Sequence, residues 1–104
     1  MGKNNILLYE FEEYLSKKYK GFKKEVVFKH IMETHRMFRA DYYLPDERII
    51  IEINGGQYVY GRHNRGGAGY ENDLRKMNIA VKNGFRYYQF TYQQLSKQEY
   101  LEFI

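Results

Sequence analysis

Two acidic residues, Asp41 and Glu52, lie eleven positions apart on either side of a turn signal. A hairpin loop over residues 45–48, beginning at a proline, would place Asp41 opposite Glu52 with Cβ atoms about 5 Å apart. Two carboxylates that close repel each other, and a divalent cation such as Mg²⁺ or Mn²⁺ removes the repulsion. The spacing therefore predicts a metal site, unless the loop differs in length and Asp41 pairs with Arg39 or Arg48 instead.

A glycine-rich segment follows this acidic pair, with six glycines among residues 55–69. So long a loop in a small domain is usually functional, and glycine lets another backbone approach closely. Arg62, His63 and Arg65 lie within it and can hold the phosphates of a nucleic acid. The glycines match neither the phosphate-binding loop of nucleotide-binding proteins nor the dinucleotide fingerprint. We therefore expect this segment to contact a phosphate backbone.

Positive charge is concentrated near the end of the first predicted helix. The chain has 17 Lys and Arg against 13 Asp and Glu, a net charge of +4. Such a concentration favours a polyanionic partner, and we take Lys23 and Lys24 as DNA contacts. The alternative is an ordinary solvated surface. This basic cluster consists of Lys17, Lys18, Lys20, Lys23, Lys24 and Lys29.

The composition excludes several classes of protein. The absence of cysteine rules out disulfide frameworks, thiolate zinc sites and cysteine nucleophiles. No apolar run approaches the ~20 residues that cross a bilayer, and acidic residues come too early for a signal peptide. We expect a cytoplasmic protein that does not bind membranes. A length of 104 residues fits one domain, residues 1–104.

Hydrophobic periodicity predicts the element order αβββαβα. We expect Asn4 or Asn5 to cap the first helix and Gly21 to end it. The run Ile49–Ile51 favours a strand buried on both faces, and the helix between the third and fourth strands makes them parallel. The second helix has an apolar stripe formed by Tyr70, Leu74, Met77 and Val81. The predicted ranges are 4–19, 24–30, 36–44, 48–54, 70–83, 85–91 and 92–103.

Asp41, followed by Glu52-Ile53-Asn54 on the third strand of an αβββαβ core, resembles the pattern of the PD-(D/E)XK nuclease superfamily. More narrowly, residues 38–91 resemble small phage and bacterial endonuclease-domain proteins with a pattern of the type F-D-F-x-x-P-E…E-x-x-G-G…G-R-H-x-R-G…D-x-x-K-x-N. Those proteins are distantly akin to very-short-patch-repair endonucleases and small Holliday-junction resolvases. The resemblance implies an α/β fold of the restriction-endonuclease-like type, with a mixed central sheet flanked by helices.

The resemblance also implies roles for residues of the site. Asp41 and Glu52 would bind Mg²⁺. The superfamily has lysine two positions after the glutamate, where this chain has Asn54, which can form hydrogen bonds but supplies no positive charge. Lys76 lies well off the apolar stripe of the following helix and is the candidate substitute, with a solvated surface lysine as the alternative. Gln57 is the candidate contact for the attacking water or a phosphate.

A glutamate on the first helix accompanies the site in many superfamily members. Glu10, Glu12 and Glu13 compete for this role, and we choose Glu10 because it borders the apolar face. The alternative is an ordinary exposed glutamate. Asp73 can hold Lys76 or His63, or be purely structural. His63 can be a general base, a phosphate contact or a surface residue, with no preference among the three.

These features together predict a Mg²⁺-dependent DNA endonuclease, with Mn²⁺ able to substitute. No base-reading helix is evident, so we expect recognition of a junction, flap or nick rather than of a long sequence. Cleavage of two strands needs two sites, which favours a homodimer. One alternative is a non-catalytic nucleic-acid-binding module on the same fold, favoured by Asn54. The other is a protein-interaction domain in which Asp41 and Glu52 pair with arginines.

Overall fold

A computed structural model describes residues 2–54 and 69–104 of the chain. Its elements follow the predicted order αβββαβα. They are α1 (Lys3–Lys18), β1 (Lys23–Val27), β2 (Arg39–Leu44), β3 (Ile49–Ile53), α2 (Glu71–Lys82), β4 (Arg86–Phe90) and α3 (Tyr92–Ser96). Short 3₁₀ helices span Phe28–His30 and Glu99–Glu102. In the described ranges, no helix is long and apolar enough to cross a membrane.

The strands of the described residues form one mixed sheet in the order β1-β2-β3-β4. β2 is antiparallel to both β1 and β3, whereas β3 and β4 are parallel, as predicted. The turn between β2 and β3 covers residues 45–48, and Leu44 pairs with Ile49, so the predicted register is confirmed. The chain therefore has an α/β fold, with a mixed sheet and helices packed against it.

Arg48 closes this hairpin in a left-handed conformation, with a φ angle of 57°. Its guanidinium lies 4.2 Å from the centroid of the Phe85 ring and donates to the carbonyl oxygen of Asn83. Its own carbonyl oxygen accepts a hydrogen bond from the backbone N–H of Arg86. The Arg48 side chain also lies against Gly84, where a Cβ atom would meet it at 3.5 Å. The hairpin turn is thereby joined to the turn between α2 and β4.

The described part of the sheet separates two hydrophobic cores. Ile49 and Ile51 of β3 face one core and Ile50 faces the other, so this strand is buried on both faces as predicted. The core on the α1 side is the larger and is rich in aromatic rings: Phe11, Leu15, Tyr42, Leu44, Ile49, Ile51, Phe90, Leu95, Tyr100 and Ile104. The core on the α2 side is smaller: Phe28, Ala40, Tyr43, Ile50, Ala80 and Phe85.

Helix α1 differs from its prediction at both ends. Gly2 is the N-cap, and its carbonyl oxygen accepts from two backbone N–H groups of the first turn without any side-chain cap. The prediction that Asn4 or Asn5 caps this helix is therefore wrong. At the other end, the helix stops before the extended Tyr19 rather than at Gly21. The sequence predicted a capping side chain, whereas the first turn is held by backbone hydrogen bonds to Gly2 alone.

Helix α2 carries its apolar stripe on the outside. Tyr70, Leu74 and Val81 are 60%, 38% and 57% exposed. Ala80 is buried instead, and Lys76 reaches toward the sheet. An apolar stripe ordinarily faces the core. Ile79 also packs against the smaller core, so a different face of the helix meets the sheet and the predicted stripe remains outside the core of the described residues.

Candidate active site

The pairing of β2 and β3 changes where Asp41 meets Glu52. The regular register ends at Tyr42 and Ile51, and the next two residues are Asp41 and Glu52, opposite each other. There, the backbone N–H of Ile53 donates to Asp41 Oδ2 at 2.8 Å, and the backbone N–H of Asp41 donates to Glu52 Oε2 at 3.3 Å. Side chains thus replace strand-to-strand bonds, and the two acids lie across from each other as the register predicted.

The neighbouring strand β1 is also irregular at this point. Glu25 lies opposite Asp41 between two regular pairs, and its φ angle of 56° is left-handed. A non-glycine residue in that conformation is strained by roughly 1 kcal/mol or more. Arg39 pairs with Glu25 at 3.6 Å, and Arg48 donates to a backbone carbonyl. Neither arginine therefore forms the pair with Asp41 that the sequence left open.

Glu52 is the buried charged residue of the described part of the chain, with 6% exposure. Lys76 of α2 places its Nζ 2.7 Å from Glu52 Oε1. The lysine is largely buried as well, with 17% of its side chain exposed, and its Nζ lies 5.9 Å from the centroid of the Phe28 ring. Asp73, for which this lysine was one of the possible partners, is exposed. The candidate lysine of the helix therefore contacts a candidate metal ligand directly.

Burial controls the electrostatics of this pair. Burial raises the pKa of Glu52 to about 7, Lys76 offsets part of that rise, and the nearby Asp41 carboxylate adds to it. The pKa of Tyr87 is raised too, first by burial and then by the negative charges of Glu52 and Asp73. Negative charge is thus concentrated where water is scarce. A bound cation would be favoured at such a place.

A cleft of about 290 Å³ opens beside Asp41 on the α1 side of the sheet. Leu8 and Glu12 of α1 line it together with Lys24 and Tyr42. Glu12 Oε2 accepts from the Tyr42 hydroxyl at 2.6 Å and lies 2.9 Å from Lys24 Nζ. Of the three α1 glutamates, Glu12 is therefore the one that shares a cleft with Asp41.

The structure places Glu12, and not the predicted Glu10, at this cleft. Glu10 is exposed and does not line the cleft, and Glu13 is exposed and accepts from the Tyr9 hydroxyl. The apolar face predicted for α1 from the spacing of Leu7, Phe11, Tyr14 and Leu15 omitted Leu8, which packs against the larger core. Residues four apart share a helix face, so including Leu8 would have pointed to Glu12.

Asn54 follows Glu52 by two positions, where the pattern that the sequence resembles has lysine. Its backbone N–H donates to the carbonyl oxygen of Phe90 at 2.8 Å, which continues the parallel pairing of β3 and β4. Its side-chain Nδ2 donates to Gln89 Oε1. Gln89 is the partner of Glu52 in the strand register. Asn54 therefore faces a neutral amide, and the positive charge at Glu52 comes from Lys76.

The basic cluster is exposed on the described surface. Lys24 reaches the cleft through its ion pair with Glu12. Lys20 and Lys23 line a shallower pocket of about 240 Å³ beside the turn at Pro45. Positive charge thus extends along the edge strand β1, from the cleft toward the hairpin turn. The other predicted contacts, Gln57, Arg62, His63 and Arg65, lie outside the described residues.

The donor set of the site fits a partly hydrated Mg²⁺ ion. Asp41 and Glu52 are its carboxylates. Asp41 accepts from the Ile53 N–H through one oxygen, and Glu52 accepts from Lys76 through Oε1 and from the Asp41 N–H through Oε2, so each oxygen keeps a lone pair for a cation. The described residues contain no group of three His, Cys, Asp or Glu side chains arranged around a metal. Mg²⁺ is commonly held by one or two carboxylates, with waters and substrate phosphates completing the octahedron. Two carboxylates therefore suffice for such an ion.

Comparisons of the chain with protein-family models, with curated proteins and with solved structures find no match. A functional assignment therefore depends on the geometry of the site and on the residues that form it. That geometry brings an aspartate, a glutamate and a lysine together at the end of one strand pair.

Proposed function

We propose that the chain is a Mg²⁺-dependent DNA endonuclease with the restriction-endonuclease-like fold. The observation that carries this proposal is the meeting of Asp41, Glu52 and Lys76 from three different elements. A hairpin brings the two acids together, but Lys76 comes from a helix 24 positions after Glu52. Two carboxylates with a lysine beside them are the residue types that the superfamily resemblance implies for phosphodiester hydrolysis.

Asp41 and Glu52 would hold the metal through their oxygens on adjacent strands. Bound Mg²⁺ supplies a Lewis acid to the scissile phosphate. The raised pKa of Glu52 means that proton binding competes with cation binding near neutral pH. Lys76 favours the ionised carboxylate, because its ammonium group lies 2.7 Å from Oε1.

Lys76 also takes the role that Asn54 leaves vacant. Its ammonium is held by Glu52 on one side and lies near the Phe28 ring on the other, so its position is restricted before substrate binds. A positioned ammonium can orient the attacking water or stabilise the charge that develops on the phosphate. The neutral Asn54 amide would hold neighbouring polar groups through hydrogen bonds.

The charge around the site supports DNA as the substrate. Lys23 and Lys24 lie on the exposed edge strand that leads away from Asp41, and they would neutralise phosphates on that side. The proposed phosphate contacts on the other side of the site remain Arg62, His63 and Arg65. The exposed face of α1 carries Glu10 and Glu13, whose negative charges would repel phosphates, so this helix is poorly suited to enter a groove. Selection of a junction, flap or nick is therefore proposed over selection of a base sequence.

The experiment is cleavage of supercoiled plasmid, four-way junctions, flaps and nicked duplexes with Mg²⁺ or Mn²⁺. We expect cleavage by the wild-type protein that EDTA abolishes. Glu52→Gln and Asp41→Asn should each lower the rate at least 100-fold, because each removes a metal-binding charge. Lys76→Met should also lower the rate, while leaving DNA affinity near that of the wild type.

Matched controls separate this result from contamination and from unfolding. Glu47→Gln and Lys97→Met change the same residue types at exposed positions outside the site, and both should cleave like the wild type. Circular dichroism verifies that each variant is folded. Wild-type activity in Glu52→Gln, or no cleavage of any substrate by folded wild-type protein, would refute the endonuclease.

A non-catalytic nucleic-acid-binding module is the second candidate. It is favoured by Asn54, which bonds Gln89 where the superfamily has a catalytic lysine. Salt-dependent binding of branched DNA without cleavage would select it. The third candidate, a protein-interaction domain, assumed that Asp41 and Glu52 pair with arginines. Among the described residues, Glu52 pairs with a lysine and Asp41 with a backbone N–H instead.

A further inference from the structure

A pocket of about 240 Å³ opens at the hairpin end of the sheet, away from the two acids. One of its walls is the segment that leads from α1 into β1, and the other is the turn between β2 and β3. We call it the turn pocket. The residues that line it are Lys20, Gly21, Phe22, Lys23, Pro45 and Asp46.

Both walls of the turn pocket are held in place by the fold. The Phe22 ring packs against the larger core, with its centroid 5.8 Å from that of the Tyr42 ring. On the other wall, the backbone N–H of Arg48 donates to the carbonyl oxygen of Pro45 at 3.2 Å, and the guanidinium donates to the Asn83 carbonyl. A ligand would therefore meet walls that are already ordered, which lowers the entropic cost of binding.

The charges around the turn pocket indicate which ligand fits. Lys20 and Lys23 are exposed, and neither takes part in the ion pairs of the described ranges. Asp46 is exposed on the opposite wall. Ammonium groups attract phosphates, whereas a carboxylate repels them and accepts hydrogen bonds from amino groups such as N4 of cytosine. The pocket thus offers one wall to phosphates and the other to the edge of a base.

The size and the aromatic wall of the turn pocket favour a single unpaired nucleotide. Its volume is just below the roughly 300–1,000 Å³ of pockets that enclose drug-sized molecules. Bases of single strands stack on aromatic side chains such as Phe22. A base that stacks on protein has left the stack of its own helix, so a regular duplex offers no such base.

We propose that the turn pocket binds one unpaired nucleotide of a DNA strand, with the base against Phe22 and the phosphates at Lys20 and Lys23. This inference rests on the proposed function, because it takes the ligand to be an arm of the DNA that enters the site. Pro45 follows Asp41 by four residues, about 13 Å along the strand. That length matches about four nucleotides of a stacked strand. The pocket therefore selects strands that leave the duplex within about four nucleotides of the cut.

Binding of short single strands in EDTA tests the turn pocket without any requirement for cleavage. The probes are oligo-deoxycytidine and oligo-deoxythymidine, each about six nucleotides long, and the readout is fluorescence anisotropy. The wild type should bind the cytidine strand more tightly, because cytosine has the amino group that Asp46 can accept from. Asp46→Ala should remove this preference without weakening the binding of the thymidine strand.

Two substitutions change the shape of the turn pocket and leave its charge unchanged. Gly21→Leu adds a side chain where a Cβ atom would meet no atom within 4 Å, so it narrows the pocket without a clash. Phe22→Leu removes the aromatic face but keeps an apolar contact with the core. Each should weaken binding of both strands at least about fivefold, because stacking is lost. Tyr9→Leu, at a residue 60% exposed on α1, is the matched control and should bind like the wild type.

The salt dependence of binding tests the two lysines. Lys20→Gln/Lys23→Gln should lower the slope of log Kd against log salt by about 1.4, since each phosphate contact of a single strand contributes about 0.7. Lys3→Gln/Lys97→Gln removes the same charge at exposed positions outside the pocket and should keep the wild-type slope.

The outcomes separate this pocket from the nuclease. Wild-type affinity in folded Gly21→Leu and Phe22→Leu, equal binding of the two strands by the wild type, or equal salt slopes in the two double-lysine variants would each overturn the proposal, even in a protein that cleaves DNA. Single-strand binding that responds as expected, in a protein that cleaves none of the substrates, would support the pocket and refute the endonuclease alone.

Discussion

The two faces of the sheet differ in the interactions that stabilise them: aromatic packing on the α1 face and a buried ion pair on the α2 face. On the α1 face, the Phe11 ring lies 5.4 Å from Tyr42 and 4.8 Å from Tyr100 between centroids, both in edge-on contacts. On the α2 face, a smaller core surrounds the ion pair of Glu52 and Lys76. The comparison indicates that packing stabilises the α1 face, whereas the α2 face carries buried charges whose effect on the free energy of unfolding depends on pH. Substitutions should therefore be insensitive to pH on the first face and sensitive to pH on the second.

The largest effect is expected from Phe11→Ala on the α1 face. This side chain is fully buried, and removing a buried phenyl ring typically costs 3–5 kcal/mol. Urea unfolding at pH 5 and pH 8 should show the same loss at both. Tyr9→Ala on the exposed side of the same helix should change stability by less than about 0.5 kcal/mol. A loss that differs between the two pH values would contradict the comparison.

Lys76→Met on the α2 face should cost about 3 kcal/mol at pH 8, because the buried Glu52 loses its partner and must either stay ionised and unpaired or take up a proton from a basic solution. At pH 5 the loss should be much smaller, since Glu52 is then protonated. Adding Glu52→Gln to this variant should recover most of the stability at pH 8. The measurement is urea unfolding of the single and double variants. Equal losses at both pH values would mean that the ion pair does not control this face.

The pH dependence of the wild-type protein follows from Glu52 itself. Its pKa of about 7 in the folded protein lies above the ordinary value of 4.5, so the folded state holds this proton more tightly than the unfolded chain does. The stabilisation is full below pH 4.5 and is lost as the pH rises through 7. Relative to Glu52→Gln, the wild type should lose about 2 kcal/mol between pH 5 and pH 8. Parallel stability curves for the two proteins would refute this assignment.

The smallest effect is expected from Glu25→Gly at the edge of the sheet. Glycine adopts the left-handed φ of 56° without strain, although it also gives the unfolded chain more freedom. The net gain should be about 0.5 kcal/mol in the free energy of unfolding. Glu25→Ala keeps the strain and loses the pair with Arg39, so it should not stabilise. Stabilisation by alanine as well would show that strain at this position is unimportant.

Local chemistry was sufficient to predict the strand register and the placement of the two acids. Pro45 limited the hairpin loop to a few lengths, and one of them paired Leu44 with Ile49. That register alone places Asp41 across from Glu52. Short-range rules succeed here because a tight turn leaves the two strands little freedom to slide.

The orientation of α2 needed tertiary information. Periodicity identifies an apolar stripe but does not say whether the stripe meets this sheet or another surface. Ile79, Ala80 and Lys76 face the sheet, so the face that turns inward is not the predicted stripe. On α1, the omission of a single apolar residue, Leu8, shifted the choice from Glu12 to Glu10. The left-handed Glu25 has no marker in the sequence, because glycine or asparagine would be expected there.

The contacts of Arg48 with the turn between α2 and β4, here called the Arg48 clamp, have a consequence for local opening of the sheet. At the hairpin end, β2 and β3 are tied to the neighbouring turn through the Asn83 carbonyl and the Arg86 N–H. At the other end, beside Asp41, side chains replace backbone pairing. Amide hydrogens of these strands should therefore exchange with solvent slowly near the clamp and progressively faster toward the acids. Local opening of the sheet would therefore begin beside the two acids, where ions would enter without global unfolding.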